Sequence, residues 1–218
     1  LEALELFDLQ GYHVFSLRHL SGGNIEDYEY ATGGQTDLTK LDLIQNVLAQ
    51  KRDGKGDKFV ELIRVGESSY LFISGPLYDN TGELAGVVVV GETLASIAEN
   101  IRTNTFAQVT FYDMSGDVLS STLPFPAKLT SDSVALTIAQ KNDASKKRQL
   151  LDQRVFETSN LSFSEILGAF EVRGDTNLGV LGIALSRNIL VQTSTTSRWQ
   201  IFLLVFIVNF LILLIGIN

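Results

Sequence analysis

The sequence predicts an α+β fold: two tandem modules, each an antiparallel sheet with flanking helices, followed by one transmembrane helix. Three observations predict it. An aromatic-Asp-x-x-Gly turn closes an alternating strand twice, a Gly-Val strand occurs twice, and an uncharged apolar run ends the chain.

The first copy opens with Leu4-Glu5-Leu6-Phe7-Asp8-Leu9-Gln10-Gly11, and the second with Val109-Thr110-Phe111-Tyr112-Asp113-Met114-Ser115-Gly116. Asp caps tight turns and Gly tolerates positive φ, so each reads as a strand entering a hairpin. A second strand follows each, over residues 12–17 and 117–121. Leu38, Leu41, Ile44 and Leu48 then recur at helical spacing, as do Val134 and Ile138 in the second copy. Polar loops follow at residues 51–58 and 141–149. The basic run Lys146-Lys147-Arg148 falls in the second of them and reads as a solvated loop.

The second half of the pattern also repeats. A strand over residues 69–77 leads into the turn Asp79-Asn80-Thr81-Gly82, then a strand over 84–90. Its counterpart is a strand over 164–172, the turn Arg173-Gly174-Asp175 and a strand over 177–185, with Gly86-Val87 aligned on Gly179-Val180. Thr93 suits a helix N-cap, with Leu94, Ile97 and Ile101 on one face. Ser186 suits the cap of a helix beginning near Arg187. Two strands, a helical insertion and three strands make a five-stranded sheet with helices on one side.

Composition bounds the function. The 218 residues are 45% hydrophobic and 9% aromatic, enough for a packed core. The net charge of −8 excludes a nucleic-acid partner, which needs clustered Lys and Arg. Without cysteine there is no disulfide, thiolate metal site or Cys nucleophile. The chain starts at Leu1 with no signal peptide in view, and reads as a fragment of a longer protein.

Of residues 201–217, all but Asn209 and Gly216 are apolar, and no charge falls between 199 and 218. At about 1.5 Å per residue this 20-residue stretch reaches about 30 Å, one bilayer core. Residues 199–218 are therefore expected to cross a lipid bilayer, with Trp199 at headgroup level. Asn209 either contacts a partner helix or bonds back within its own.

Beyond these patterns, the run Ser74-Gly75-Pro76-Leu77-Tyr78-Asp79-Asn80-Thr81-Gly82-Glu83-Leu84-Ala85-Gly86-Val87-Val88 resembles the double Cache family. These are the PAS-like extracytoplasmic sensor regions of bacterial receptors. Phe170 to Ser186 fits more loosely. The resemblance implies a membrane-distal module over residues 1–98, truncated at its N-terminus, and a membrane-proximal module over 99–190. A juxtamembrane helix over 191–198 and the transmembrane helix over 199–218 would follow. It also implies a long helix ahead of the first module and a ligand in the distal one. Amino-acid-binding members carry an Arg-x-x-Trp-Tyr strand. Here the comparable segment is Arg64-Val65-Gly66-Glu67-Ser68-Ser69-Tyr70, and Gly91-Glu92 stands near the family's usual Asp, so an amino-acid ligand is not implied.

In such a module the pocket lies between sheet and insertion. Tyr70, Phe72 and Ser74 alternate on one strand and share a face. Arg64 on the preceding strand can pair with an anion, and Tyr28 and Tyr30 lie in the insertion that would cover the site. These six are the candidate ligand-binding residues. The alternative reading makes Tyr70 and Phe72 plain core, and Arg64 a solvated edge residue.

His13 and His19, the only histidines, have no ligand partner four residues away, so neither a metal nor a cofactor is expected. Asp79 to Glu83 lacks a calcium-binding ladder and reads as a hairpin. Catalytic motifs are absent, so this region is not expected to be an enzyme. The expectation is a ligand-sensing region of a transmembrane receptor, outside the cytoplasm over residues 1–198. It would pass a signal to a histidine kinase, nucleotide or diguanylate cyclase, or chemotaxis domain. An unknown small-molecule ligand and a homodimer are the expected partners. The alternative is a membrane-anchored structural or protein-interaction module with a sensor-like fold.

Overall fold

A computed structural model describes residues 2–20, 22–24, 26–32, 37–141, 153–158, 161–173 and 176–187. The expected transmembrane stretch 199–218 with Asn209, the juxtamembrane stretch 191–198 and the basic run at 146–148 lie outside the described residues. Among the described residues, no helix is long and apolar enough to cross a membrane.

The first module contains β1 (Ala3–Phe7), β2 (His13–His19), β3 (Tyr28–Thr32), α1 (Asp42–Leu48), β4 (Phe59–Val65), β5 (Ser68–Tyr78) and β6 (Leu84–Thr93). Its sheet runs β3-β2-β1-β6-β5-β4, antiparallel throughout. Helix α2 (Leu94–Thr105) follows. The second module contains β7 (Gln108–Tyr112), β8 (Val118–Ser121), α3 (Ser131–Lys141), β9 (Gln153–Thr158), β10 (Leu161–Val172) and β11 (Thr176–Ser186), in the order β8-β7-β11-β10-β9.

The two sheets repeat one another in register. Phe7 pairs with Val87 as Tyr112 pairs with Val180. Bulges fall after Leu6 and after Phe111, and again after Leu77 and after Phe170. Gly86 and Gly179 occupy one site. A Cβ there would run into the carbonyl oxygen of Phe7 or of Tyr112, so each strand enters its sheet at a spacing only glycine permits.

The turns share their chemistry as well. Asp8 Oδ1 accepts from the N–H groups of Gln10 (2.9 Å) and Tyr12 (2.8 Å), and Asp113 Oδ1 from those of Ser115 (2.8 Å) and Asp117 (2.9 Å). Asp79 Oδ1 accepts from those of Thr81 (2.8 Å) and Glu83 (3.0 Å). Gly11, Gly116 and Gly82 close these turns at φ of 78°, 86° and 85°. The Thr81 hydroxyl and then the Glu83 N–H hold the Asp79 carboxyl below the usual carboxylate range, so its oxygen is committed to the hairpin.

Three expectations are corrected. The first module has six strands, because Tyr28 to Thr32 pairs with β2 as an edge strand instead of joining the helical insertion. The helix expected across Leu38 to Leu48 is a 3-10 turn, Asp37–Lys40, and a short α1. They are separated at Leu41, whose ψ of 141° is extended. Helices also lie on both faces. Helix α1 and helix α3 each cover one face of their own sheet, while α2 lies on the opposite faces, between the modules. Leu94 and Ala98 pack there with Leu62 and Leu71 of the first sheet, and with Val109, Phe111, Phe170, Leu181 and Ile183 of the second.

Thr93 caps α2 as expected, its hydroxyl accepting from Ser96 N–H at 3.2 Å. Glu2 adds a second cap. Its carboxylate accepts from the Thr93 N–H (2.7 Å) and from the Ser96 hydroxyl. Burial opposes ionisation of Glu2, but the hydrogen bonds from Ser96 and Thr93 outweigh it and hold the carboxyl below its ordinary value of 4.5. A depressed folded value stabilises the protein above the unfolded value, and the benefit fades as pH falls through the folded one. The variant Glu2→Gln should therefore melt lower than wild type at neutral pH, with the gap closing below about pH 4.5. Urea titrations across pH check this. Gly179→Ala and Gly86→Ala should each destabilise by about 1–3 kcal/mol, which thermal melts read as a drop of several degrees.

Candidate functional site

The helix-covered face of the first sheet carries Ala3, Glu5 and Phe7 of β1. Beside them stand Val87, Val89 and Gly91 of β6, and Tyr70, Phe72 and Ser74 of β5. Its two halves differ. Helix α1 packs on β4, β5 and β6, where Leu43, Ile44 and Val47 meet Phe72, Val87 and Val89 in one core cluster. Tyr70 stacks on Phe72 with ring centroids 5.3 Å apart. Helix α1 is clipped down by two polar contacts. The Ser74 hydroxyl donates to the Leu43 carbonyl at 2.7 Å, and the Leu43 N–H reaches Glu61 Oε2 at 3.4 Å.

The other half, over β1 to β3, is polar. Glu5 has no exposed surface. Its Oε2 lies 2.7 Å from His13 Nε2, and its Oε1 accepts from Arg18 Nε at 2.8 Å. The His13 ring packs against Phe7. Ser16 and Arg18 share this face, since Ser16 pairs with Glu5 and Arg18 with Ala3.

Of the six sequence candidates, the register brings Tyr70, Phe72 and Ser74 together on this face. Phe72 and Ser74 are buried, and Ser74 is committed to α1. Arg64 pairs with Ser69, one position out of phase, so it sits on the opposite face. It is exposed and donates from Nε to its own turn at Gly66 O, 3.4 Å. Tyr28 and Tyr30 pair with His19 and Leu17 on that opposite face too. Tyr28 packs edge-on against His19, and Tyr30 is 73% exposed. Arg64, Tyr28 and Tyr30 are therefore removed from the helix-covered face by the period-2 alternation of strands. At the hairpin end of the face, a cavity of about 10 Å³ lies between Val47, Arg52, Pro76 and Tyr78, room for about one water.

The second module carries a comparable polar group, two strands over. Glu165 occupies the position that Phe72 holds in the first module, and Arg154 that of Glu61. Glu165 has no exposed surface. Arg154 donates from Nε to Glu165 Oε2 and from Nη2 to the Tyr112 hydroxyl and, at 3.3 Å, to the Ala127 carbonyl. The Tyr112 hydroxyl reaches Glu165 Oε1 at 3.2 Å. Burial, and next the Glu165 charge, push the Tyr112 phenol far up, so it stays protonated.

Sequence reasoning missed Glu5, His13, Arg18, Arg154 and Glu165. One signal was present. Glu165 stands between Phe163 and Leu167 two residues either side, a charge on the phase that points inward.

A family model described as the double sensory domain of two-component sensor kinases matches residues 1–189. The chain belongs to the double Cache family. Cache sensory domains bind ligands without catalysis, and they are typically extracytoplasmic parts of bacterial receptors and sensor kinases.

Among solved structures, the chain is similar to the ligand-binding domain of the Campylobacter jejuni chemoreceptor Tlp3 in complex with 4-methylisoleucine, at 17% identity and a TM-score of 0.44. That likeness covers 86% of this chain and 66% of the other, just under two thirds of its length. A sensory box/GGDEF family domain from Vibrio parahaemolyticus is 11% identical, with a TM-score of 0.48 and coverages of 86% and 72%. The Pseudomonas aeruginosa amino-acid chemoreceptor PctC domain with GABA is 14% identical, with a TM-score of 0.39 and coverages of 84% and 73%. No curated protein sequence gives a match. Membership rests on the family match over residues 1–189.

Removing one partner of a buried ion pair leaves a charge without compensation. Arg154→Met should destabilise the protein by about 3–5 kcal/mol. The double variant Arg154→Met/Glu165→Leu should recover most of the loss, as denaturant melts of both would show.

Proposed function

We propose that the chain is the ligand-sensing region of a transmembrane receptor, with residues 1–198 outside the cytoplasm. The first module, residues 1–98, is the ligand-binding one, and the second, 99–190, relays its state. The observation that carries this reading is the difference between the two helix-covered faces. In the second module the buried pair is closed over by Tyr112 and the Ala127 carbonyl. In the first, the polar half around Glu5 and Arg18 lies away from α1's main packing against β4, β5 and β6. Tyr70 and Phe72 border that half and form its apolar wall, and Ser74 ties the wall to α1.

Relay runs through α2, which packs on both sheets, and onward through residues 191–198 into a membrane helix over 199–218. Asn209 would contact the partner helix of a homodimer. A kinase, cyclase or chemotaxis domain beyond it would read the change. A ligand shifts such an equilibrium only by its differential affinity for the two states.

A second reading has its own observation. The first sheet's α2-side face leaves Ile73 40% and Leu77 44% exposed. The equivalent face of the second sheet likewise leaves Ile166 42% and Leu185 42% exposed beside α2. An apolar face of this kind suits a protein partner, as in a membrane-anchored interaction module without a small ligand.

A thermal-shift screen of the full chain in detergent, against carboxylates, amines, nucleobases and sugars, separates the two. A ligand at about 100 times its dissociation constant adds about 2.7 kcal/mol, a rise of roughly 5–10 °C for a chain of this size. A rise that Tyr70→Ala diminishes supports sensing at the first module. Flat curves from a well-folded sample across the whole library favour the interaction module.

A further inference from the structure

We propose that Arg18 is the anion-recognising residue of the first module's site, and that the ligand it takes is a small monocarboxylate. This deepens the sensing function above and rests on it.

Packing does not explain Glu5. Glu5 is a carboxylate without exposed surface, on a strand whose same-face neighbours are Ala3 and Phe7. Burying it is unfavourable unless partners satisfy it. It has two, His13 and Arg18. Their effect on Arg18 is geometric. The guanidinium is anchored through Nε, while the side chain remains 34% exposed. Its two terminal nitrogens have no partner among the described residues. A guanidinium held at Nε offers a paired N–H edge that matches a carboxylate bidentately, with its orientation already set.

The second module supplies an internal control. Arg154 is anchored in the same way, through Nε to the buried Glu165. There the terminal nitrogen is used, donating to the Tyr112 hydroxyl and the Ala127 carbonyl. In the second module the protein's own oxygens take up the Nη2 group of Arg154, as a ligand's oxygens would take up the terminal nitrogens of Arg18 in the first. Neither Arg64 nor Arg52 has such backing: Arg64 bonds its own turn and Arg52 the Tyr78 hydroxyl, both at exposed positions.

Neighbouring groups narrow the ligand. Ser16 adds a hydroxyl on the same face. Glu29 pairs with Arg18 across β2 and β3, stands exposed, and makes no ion pair with it. Glu5 is already satisfied by its two donors, and the exposed Glu29 is screened by solvent. A second negative charge so close still disfavours a dianion. Monocarboxylates are therefore favoured over succinate or phosphate.

The test is a thermal-shift titration of the full chain in detergent with acetate, lactate and benzoate. Each is matched with its amide, with succinate and phosphate run alongside. The wild type should respond to at least one monocarboxylate and not to the matching amide, and more weakly to succinate and phosphate. Arg18→Gln alone strands a buried carboxylate, so the working variant is Glu5→Gln/Arg18→Gln, which removes the charge together with its anchor. This double variant should melt cooperatively and bind the responding monocarboxylate about tenfold more weakly or worse. Equal binding by the double variant overturns the role of Arg18 and leaves ligand sensing standing. A response to amides or amines alone overturns the monocarboxylate class and again leaves sensing intact. No response to any carboxylate overturns the inference, and the sensing function falls with it only if amines, nucleobases and sugars also fail.

Discussion

Helix α2 has to satisfy two sheets at once, and the architecture depends on it. Leu94 and Ala98 have no exposed surface, and around them gather apolar side chains from both modules. A helix between two domains is ordinarily apolar along one stripe. Here Leu94 and Ala98, with Ile97 and Ile101 beside them, pack against apolar side chains of both sheets. The helix is held at its start by two caps, Thr93 from its own strand and Glu2 from the far end of the first module. Its end is set by Phe106 in the left-handed region. The chain before β1 and the chain after β6 are thus fastened together at the point where one module hands over to the next.

A second tie crosses the junction at the edge of the sheets. Arg173, in the turn after β10, bonds Asp53 in the loop after α1 and lies over the Phe59 ring at 4.8 Å. The Lys55 N–H, which contributes most, and then Arg173 hold the exposed Asp53 carboxyl below the usual carboxylate range. The loop that continues from α1 therefore touches the second module directly.

The buried carboxylates show how one fold is differentiated. Both modules present the same grid of positions on the helix-covered face. In the first, the acid stands at Glu5 on β1, where the second has Thr110. In the second, it stands at Glu165 on β10, where the first has Phe72. Gly182 beside Glu165 has no room for a Cβ, because the Glu165 carboxylate and the Tyr112 ring fill that space. The network is built into the sheet's own spacing.

The repeat was legible in the chain because its carriers are local. Asp8, Asp79 and Asp113 cap turns with neighbours two and four residues away, and glycines take the positive φ each turn demands. Gly86 and Gly179 were legible as a matched pair, and the reason for them, a backbone oxygen across the sheet, was not. Thr93 was readable as a cap for the same local reason. The site was read less well. Tyr70, Phe72 and Ser74 share a face because strand alternation is local. Arg64, Tyr28 and Tyr30 fell on the wrong side because facing depends on which residue pairs with which, and a shift of one residue inverts it. The sequence by itself determined the tandem modules, the turn chemistry and the family. Only the tertiary structure decided that Glu5 and Arg18 meet on one face, that Arg154 is closed over by its own module, and that α2 serves both sheets. Those contacts join residues far apart in the chain, and no local pattern encodes their register.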